Sequence, residues 1–362
     1  MKSRHRFFVA MVLFPALLLV QTAATAPKKQ TSVPAAAGSY PPMSAAAQAR
    51  ARQIYGYFDS GQSTQLYASF SPQMKKNGSP SKVADMAKGT GIKLGREQKM
   101  LGENFVPDVM SRSTVYSRFA QYSKAKDPLF AVLVVDDHGQ LTMMQFRPAP
   151  ALPPNKYVDY KVQTKLSLPF NDEWFVYQGG RDIYQNSDAY RDAERYSMVF
   201  TVLKDGQAFS GDGTKNEQFY CYGQPVTAPA DGTVMLVNNS FADNLPGRSD
   251  QIMPAGNRVL ISHGNQEYSL LMHLKQDSIK VKTGAKVKRG DIVAECGNSG
   301  ASPAPHLEYR LQNSKGTPYP FTLPAQFVDY IADGKPVAEG EPVRGQFVRN
   351  GATAPAAPGE KK

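Results

Sequence analysis

Histidine and cysteine are scarce, with five of the first and two of the second in 362 residues. These side chains are common metal ligands, so any metal site must be built from few candidates. His5 lies in the basic N-terminal segment, between Arg4 and Arg6, and His138 falls in "VVDDHGQ" at a hairpin turn, where a solvated ring is the plain reading. That leaves His263, His273 and His306. Cys221 and Cys296 can pair or stay as thiols; a bridge needs Cα atoms within ~4.4–6.8 Å, and sequence does not give that separation. Long apolar runs are lacking as well. After the run from Phe7 to Val20, no segment reaches the ~20 residues a spanning helix needs. That first run follows Lys2, Arg4 and Arg6, contains Pro15, and precedes the small residues Ala24, Thr25 and Ala26. The pattern predicts a signal peptide over 1–26, and no Cys follows to carry a lipid anchor. The expected location is therefore periplasmic or extracellular, where disulfides persist.

Acidic residues are the minority: 31 Asp and Glu stand against 42 Lys and Arg, a net charge of +11, three of which belong to the leader. In an exported protein this excess suits anionic cell-wall polymers or lipid rather than nucleic acid, and it also suits a solvated surface with no specific partner. A composition of 41% hydrophobic and 20% charged residues is globular and long enough for about two domains.

Residues 27–43, rich in Ala, Pro, Ser and Lys, read as a flexible leader, and residues 350–362 as a disordered end. Ala47, Ala51, Ile54 and Phe58 recur at helical spacing, which predicts a helix over 44–58. A second helix is expected from Pro80 to Met86, capped by Ser79. "FAVLVVDDHGQLTMMQFRP" then reads as a β-hairpin. Residues 44–148 are thus an α+β unit, helices before a curled antiparallel sheet. With "YFDSGQSTQLYASFSPQMKK", it resembles the cone-shaped domains of the cystatin-like or nuclear-transport-factor-like kind; such cones often hold a pocket, but no polar cluster marks one here. "PAPALPPN" marks a Pro-rich hinge, placed at 149–156. Beyond it, "TVMLVNN", "NRVLISH", "YSLLMHL" and "IKVKTGAKVKRGDIVAEC" predict short strands between glycines, an all-β antiparallel half of sandwich or barrel kind.

"GQPVTAPADGTVMLV", "GNRVLISHGNQEYSLLMHL" and "VKTGAKVKRGDIVAECGNSGASPAPHLEYRL" occur in fixed order, and together they resemble the lysostaphin-like, or LytM-type, zinc peptidases that cut peptidoglycan cross-links. The resemblance runs from about Gly223 to Leu311. "LPFNDEWFVYQGGRD" and "ERYSMVF" look like the opening of the same domain in long-insert members, so the peptidase-like domain is set at 157–320, with a C-terminal extension over 321–362. The family holds zinc with a His and an Asp near the start of the domain and the second His of a His-Leu-His strand, while two further histidines polarise the substrate. Carried over, His273 and His306 match the two non-ligand histidines. Glu308 stands at the third ligand position of "PHLEYRLQ", on the same strand face as His306.

The first two ligands have two alignments. Counting back from Gly223 places Gly213 and Glu217 there; aligning "ERYSMVF" places Asp188 near the His and Val199 at the Asp. The candidate metal residues are therefore Glu308, Asp188 and Glu217, with Asn298 and Ser299 as candidate binding residues. Val199 or Gly213 offers no electron pair, and lost ligands remove most of the free energy that holds zinc. One reading is a degenerate peptidase fold that binds peptidoglycan stem peptides or a cell-wall hydrolase without cutting, as family members that activate cell-wall amidases do. A second is an active zinc endopeptidase using His273, His306 and Glu308. A third is a purely structural domain. The cofactor is accordingly none or zinc.

Overall fold

The computed structural model describes residues 44–148, 154–182, 185–316 and 320–351. The signal peptide, the leader and the tail beyond 351 lie outside the described residues, as does most of the hinge. The chain divides between Ala151 and Leu152 into two compact units. No described helix is long and apolar enough to cross a membrane.

The first unit runs α1 (Ala45–Asp59), α2 (Ser63–Ala68), α3 (Pro72–Asn77), α4 (Pro80–Leu94), β1 (Glu97–Asp108), β2 (Ser113–Tyr122), β3 (Leu129–Val135) and β4 (Leu141–Pro148). Ser44 caps α1 by accepting from the Ala47 amide, and Ala51, Ile54, Tyr55 and Phe58 form the buried stripe. That stripe shares a core with Tyr116, Ala131 and Leu133 of the sheet. The large apolar members contribute ~1.5–3 kcal/mol each on burial. The four strands are antiparallel and in sequential order. Asp136 closes the β3–β4 turn by accepting from the amides of His138 and Gln140, and leaves the His138 ring exposed.

Ser79 caps α4 by accepting from the Lys82 amide. The helix continues eight residues past the expected end at Met86 and stops at Gly95, whose φ is +75°. Gly89 and Gly91 lie inside it, and a glycine inside a helix costs only ~1 kcal/mol.

The second unit contains β5 (Trp174–Gln178), β6 (Met198–Thr201), β7 (Pro225–Thr227), β8 (Gly232–Asn238), β9 (Asn257–Ser262), β10 (Tyr268–Leu274), β11 (Lys286–Val287), β12 (Ile292–Glu295), β13 (Leu307–Gln312), β14 (Thr322–Leu323), β15 (Phe327–Ala332), β16 (Lys335–Gly340) and β17 (Phe347–Asn350). Eleven of these strands form one antiparallel sheet in the order β11-β8-β9-β10-β13-β6-β5-β17-β15-β16, with β14 beside β13; β12 and β7 pair separately. The segment set apart as an extension from 321 instead supplies four strands of this sheet, and its order reaches Asn350, paired with Tyr330. Leu323, Phe327, Tyr330 and Val348 share one buried core with Phe170, Trp174, Phe200 and Leu307. Removing that apolar surface from water is the reason the last strands join the sheet.

Candidate functional site

Strands β10, β13 and β6 lie side by side at the centre of the sheet, with Met272 opposite Glu308 and Glu308 opposite Val199. The pairing of β10 with β9 shifts between Leu271 and Leu274, and His273 adopts φ +60° in this irregularity. A left-handed conformation is uncommon for a residue with a Cβ and is held here by its surroundings. The main-chain carbonyl of Ser299 accepts from His273 Nδ1 at 2.8 Å, while Nε2 lies 3.0 Å from Glu308 Oε2. A carbonyl can only accept, so Nδ1 carries a proton, and the contact with the carboxylate is favourable when Nε2 carries one too.

His306 sits just before β13, bridged to Gly297, and its Nδ1 donates to the Ala304 carbonyl at 2.8 Å. Burial pulls its pKa down to about 4, with a further push from His273, so the ring is neutral at pH 7 and Nε2 bears a lone pair. The two rings lie 4.7 Å apart between centroids, inclined at 60°.

Glu308 is held between a guanidinium and an imidazole ring. Arg310, two residues along the same strand face, donates from Nε to Glu308 Oε1 at 2.8 Å, and one terminal nitrogen also lies at 2.8 Å. Despite burial, this guanidinium and His273 hold the Glu308 carboxyl well below the usual carboxylate range. Arg310 also reaches Glu194 at 3.2 Å and donates to the Ala193 carbonyl at 3.1 Å. Glu194 pairs with Arg191 at 2.7 Å, and Arg191 lies 3.5 Å from Asp188. The result is a continuous chain of charges, His273–Glu308–Arg310–Glu194–Arg191–Asp188. Sequence reasoning missed Arg310, Glu194 and Arg191. Strand alternation was the available signal for Arg310, because it places residues 306, 308 and 310 on one face.

Residues 217–320 match the model of peptidase family M23. This M23 segment contains His273, His306, Glu308 and Arg310. An uncharacterized metalloprotease of Haemophilus influenzae is 37% identical over 101 residues, 28% of this chain and 18% of that protein. The peptidoglycan DD-endopeptidase ShyA of Vibrio cholerae is 37% identical over 89 residues, 25% of this chain and 17% of that protein. The chain thus spans less than a fifth of the length of these two relatives. Among solved structures, the catalytic domain of the prophage-encoded M23 protein EnpA of Enterococcus faecalis aligns with 44% of this chain and 95% of its own, at 20% identity and a TM-score of 0.29.

Around the M23 segment, the structure brings some expected residues together and not others. Val199 faces Glu308 across the β6–β13 pair, and Asp188 lies at the far end of the charge chain. Burial, then Glu194, raises the Asp188 carboxyl, and Glu308 adds to the effect. These are the two positions of the long-insert alignment. Glu217 lies on a short 3-10 turn, Asn216–Gln218, and Gly213 packs at the Phe209 ring. Among the described residues, the donor atoms of His273, His306 and Glu308 lie within 4.8 Å of one another, a group that includes neither Asp188 nor Glu217.

The expected binding roles of Asn298 and Ser299 are corrected, because both are fully buried with partnered side chains. Asn298 donates to Asn216 and accepts from Ser302, while Ser299 donates to the Leu274 carbonyl and accepts from the Asn257 amide. Ser299 serves the site through its carbonyl on His273. His263 is held between the Asp231 carbonyl and Ser269, a structural position. Cys221 and Cys296 are buried free thiols in place of a disulfide, and Cys221 donates to the Pro305 carbonyl beside His306.

The donor set does not fit a zinc ion. Glu308 Oε1 is held by the Arg310 guanidinium, His273 Nε2 is turned onto Oε2, and Val199 opposite offers no lone pair. A dication placed among these atoms would lie beside a guanidinium and compete with it for one carboxylate.

Proposed function

We propose that this chain is an exported, peptidoglycan-associated binding module whose M23-type groove no longer performs metal-dependent hydrolysis. The observation that carries the reading is the Arg310 clamp on Glu308 at the third ligand position. Val199 opposite Glu308 supports it. Support for the ligand class comes from the ShyA likeness, because that relative is a peptidoglycan DD-endopeptidase. The apolar leader supports export, and the excess of +8 left without its three cations (11 − 3) supports attraction to an anionic wall. In this role His306 Nε2 accepts a hydrogen bond from a peptide amide or amine of a stem peptide, and the charge chain keeps β13 and the 188–195 segment in place beneath it.

The test is release of dye from labelled peptidoglycan by the mature protein with and without added zinc, alongside co-sedimentation with the same wall and the metal content of the purified protein. Binding without release, and no stoichiometric zinc, is the expected result. Zinc-dependent release that Glu308→Ala abolishes overturns the proposal in favour of an active endopeptidase built on the His273, His306 and Glu308 cluster.

A further inference from the structure

The first unit contains a cleft of about 660 Å³ that the sequence had not suggested. Its floor is Phe58 and Tyr122, both buried, and one wall is the outward helix α4. Three cations line it, Lys88, Arg96 and Lys124, against the single acid Asp59. Lys124 is anchored by donating to the Ile92 carbonyl, and no described carboxylate pairs with Lys88. Tyr122 is fixed from behind, because its hydroxyl meets that of Tyr55, which donates to Glu97, itself clamped by Arg118. The rim is equally built. Arg96 and Ser123 exchange hydrogen bonds through both main-chain amides, and Gly95 approaches Ser123 so closely that a Cβ would fall 1.9 Å from its Oγ.

Gly91 adds an independent observation. It lines the cleft at a helical position where a Cβ would meet nothing within 4 Å. Packing therefore does not require glycine there, and glycine weakens the helix relative to alanine. Open space is what its small size preserves. Of the fifteen residues of α4 only Val83 is buried, with Met86 and Leu94 packed against the core, and Ala84, Ala87, Lys88, Thr90 and Gly91 line the hollow.

We propose that this cleft binds a small amphipathic anion, a carboxylate or phosphate monoester with a short apolar body. The volume lies within the ~300–1,000 Å³ of small-molecule sites, the aromatic floor takes the apolar body, and the cations take the head.

The test uses the full chain and 8-anilinonaphthalene-1-sulfonate, an anion with an aromatic body, as a fluorescent probe. Saturable binding at one site is expected, displaced by octyl phosphate or octanoate and not by neutral octyl glucoside; the better competitor identifies the head group. Reversing the exposed charges with Lys88→Glu plus Arg96→Glu weakens probe binding by about tenfold or more. Gly91→Trp fills the space and abolishes binding, with far-ultraviolet circular dichroism reporting an intact fold; Gly91→Ala keeps binding and raises stability. Non-saturable binding, equal displacement by the glucoside, or affinity unchanged in both the charge-reversed and the Trp variant overturns the proposal.

Discussion

Replacing Arg310 with methionine keeps the stem of the side chain and deletes the guanidinium. In the protein that group makes two 2.8 Å contacts to Glu308, one of 3.2 Å to Glu194 and one of 3.1 Å to the Ala193 carbonyl. Removing one partner of a buried ion pair costs about 3–5 kcal/mol, because the other charge stays desolvated. The Glu308 and Arg310 side chains are 13% and 18% exposed, and Glu308 retains His273, so the expected loss is at the lower end, about 3 kcal/mol. Guanidinium chloride unfolding at pH 7 measures it. The pH dependence follows from the sign of the shift. A carboxyl depressed in the folded state stabilises fully above its unfolded value of about 4.3, and the contribution is lost as pH falls through its lower folded value. Without Arg310 the folded value rises toward the unfolded one, so the acid loss becomes smaller and is complete at higher pH. Glu308→Gln provides the cycle: the double variant should lose less than the two single losses together, by at least 1 kcal/mol or so. A loss below about 1 kcal/mol, or strict additivity, would refute the assignment of Arg310 as the counter-charge of Glu308.

Three further outcomes are expected. His306, buried neutral with a folded pKa of about 4 against about 6.5 unfolded, costs stability as pH falls through that window, up to about 3 kcal/mol; His306→Asn should flatten the dependence between pH 6.5 and 4.5 in denaturant melts. Val199→Asp should lower the melting temperature without creating zinc-dependent hydrolysis, because it sets a second carboxylate opposite Glu308 while Arg310 still holds the first. Co-sedimentation with peptidoglycan should weaken between 50 and 500 mM salt (roughly one-third the screening length), whereas a chelator should change neither binding nor melting temperature.

The faces of "PHLEYRLQ" were legible because a strand has a fixed period of two, and His306 and Glu308 do lie together. The same period pointed to Arg310, which the resemblance, resting on positions 306 and 308, did not single out. His273 was placed by resemblance, yet its left-handed backbone depends on the shifted β9–β10 pairing, a contact between strands that no local pattern encodes. β1 was hidden for a different reason. It has only Val106 buried, so it lacks the apolar alternation from which strands are read. The cleft of the first unit was invisible because its cations come from α4, the α4–β1 turn and the end of β2, far apart along the chain. Asn298 and Ser299, named as candidate binding residues, instead have their hydrogen-bonding capacity used inside the fold by partners distant in sequence, which no local pattern shows.

The charge chain also bears on how this cluster would respond to added metal ligands. Glu308, Glu194 and Asp188 supply three carboxyl groups, and the guanidinium groups of Arg310 and Arg191 already answer them within the chain. A zinc ion at Glu308 would add two positive charges beside the buried Arg310 guanidinium, and recovering the metal would require removing that cation as well as adding a ligand. Ligand substitutions alone, Val199→Asp or Glu308→His, therefore meet an electrostatic barrier set by Arg310. That barrier places Arg310 rather than Glu308 at the centre of the difference between this groove and a metal-binding one. A variant series that restores ligands with and without Arg310→Met should show zinc affinity appearing only where the guanidinium is gone; stoichiometric zinc binding with Arg310 in place would show that the clamp is not what keeps the metal out.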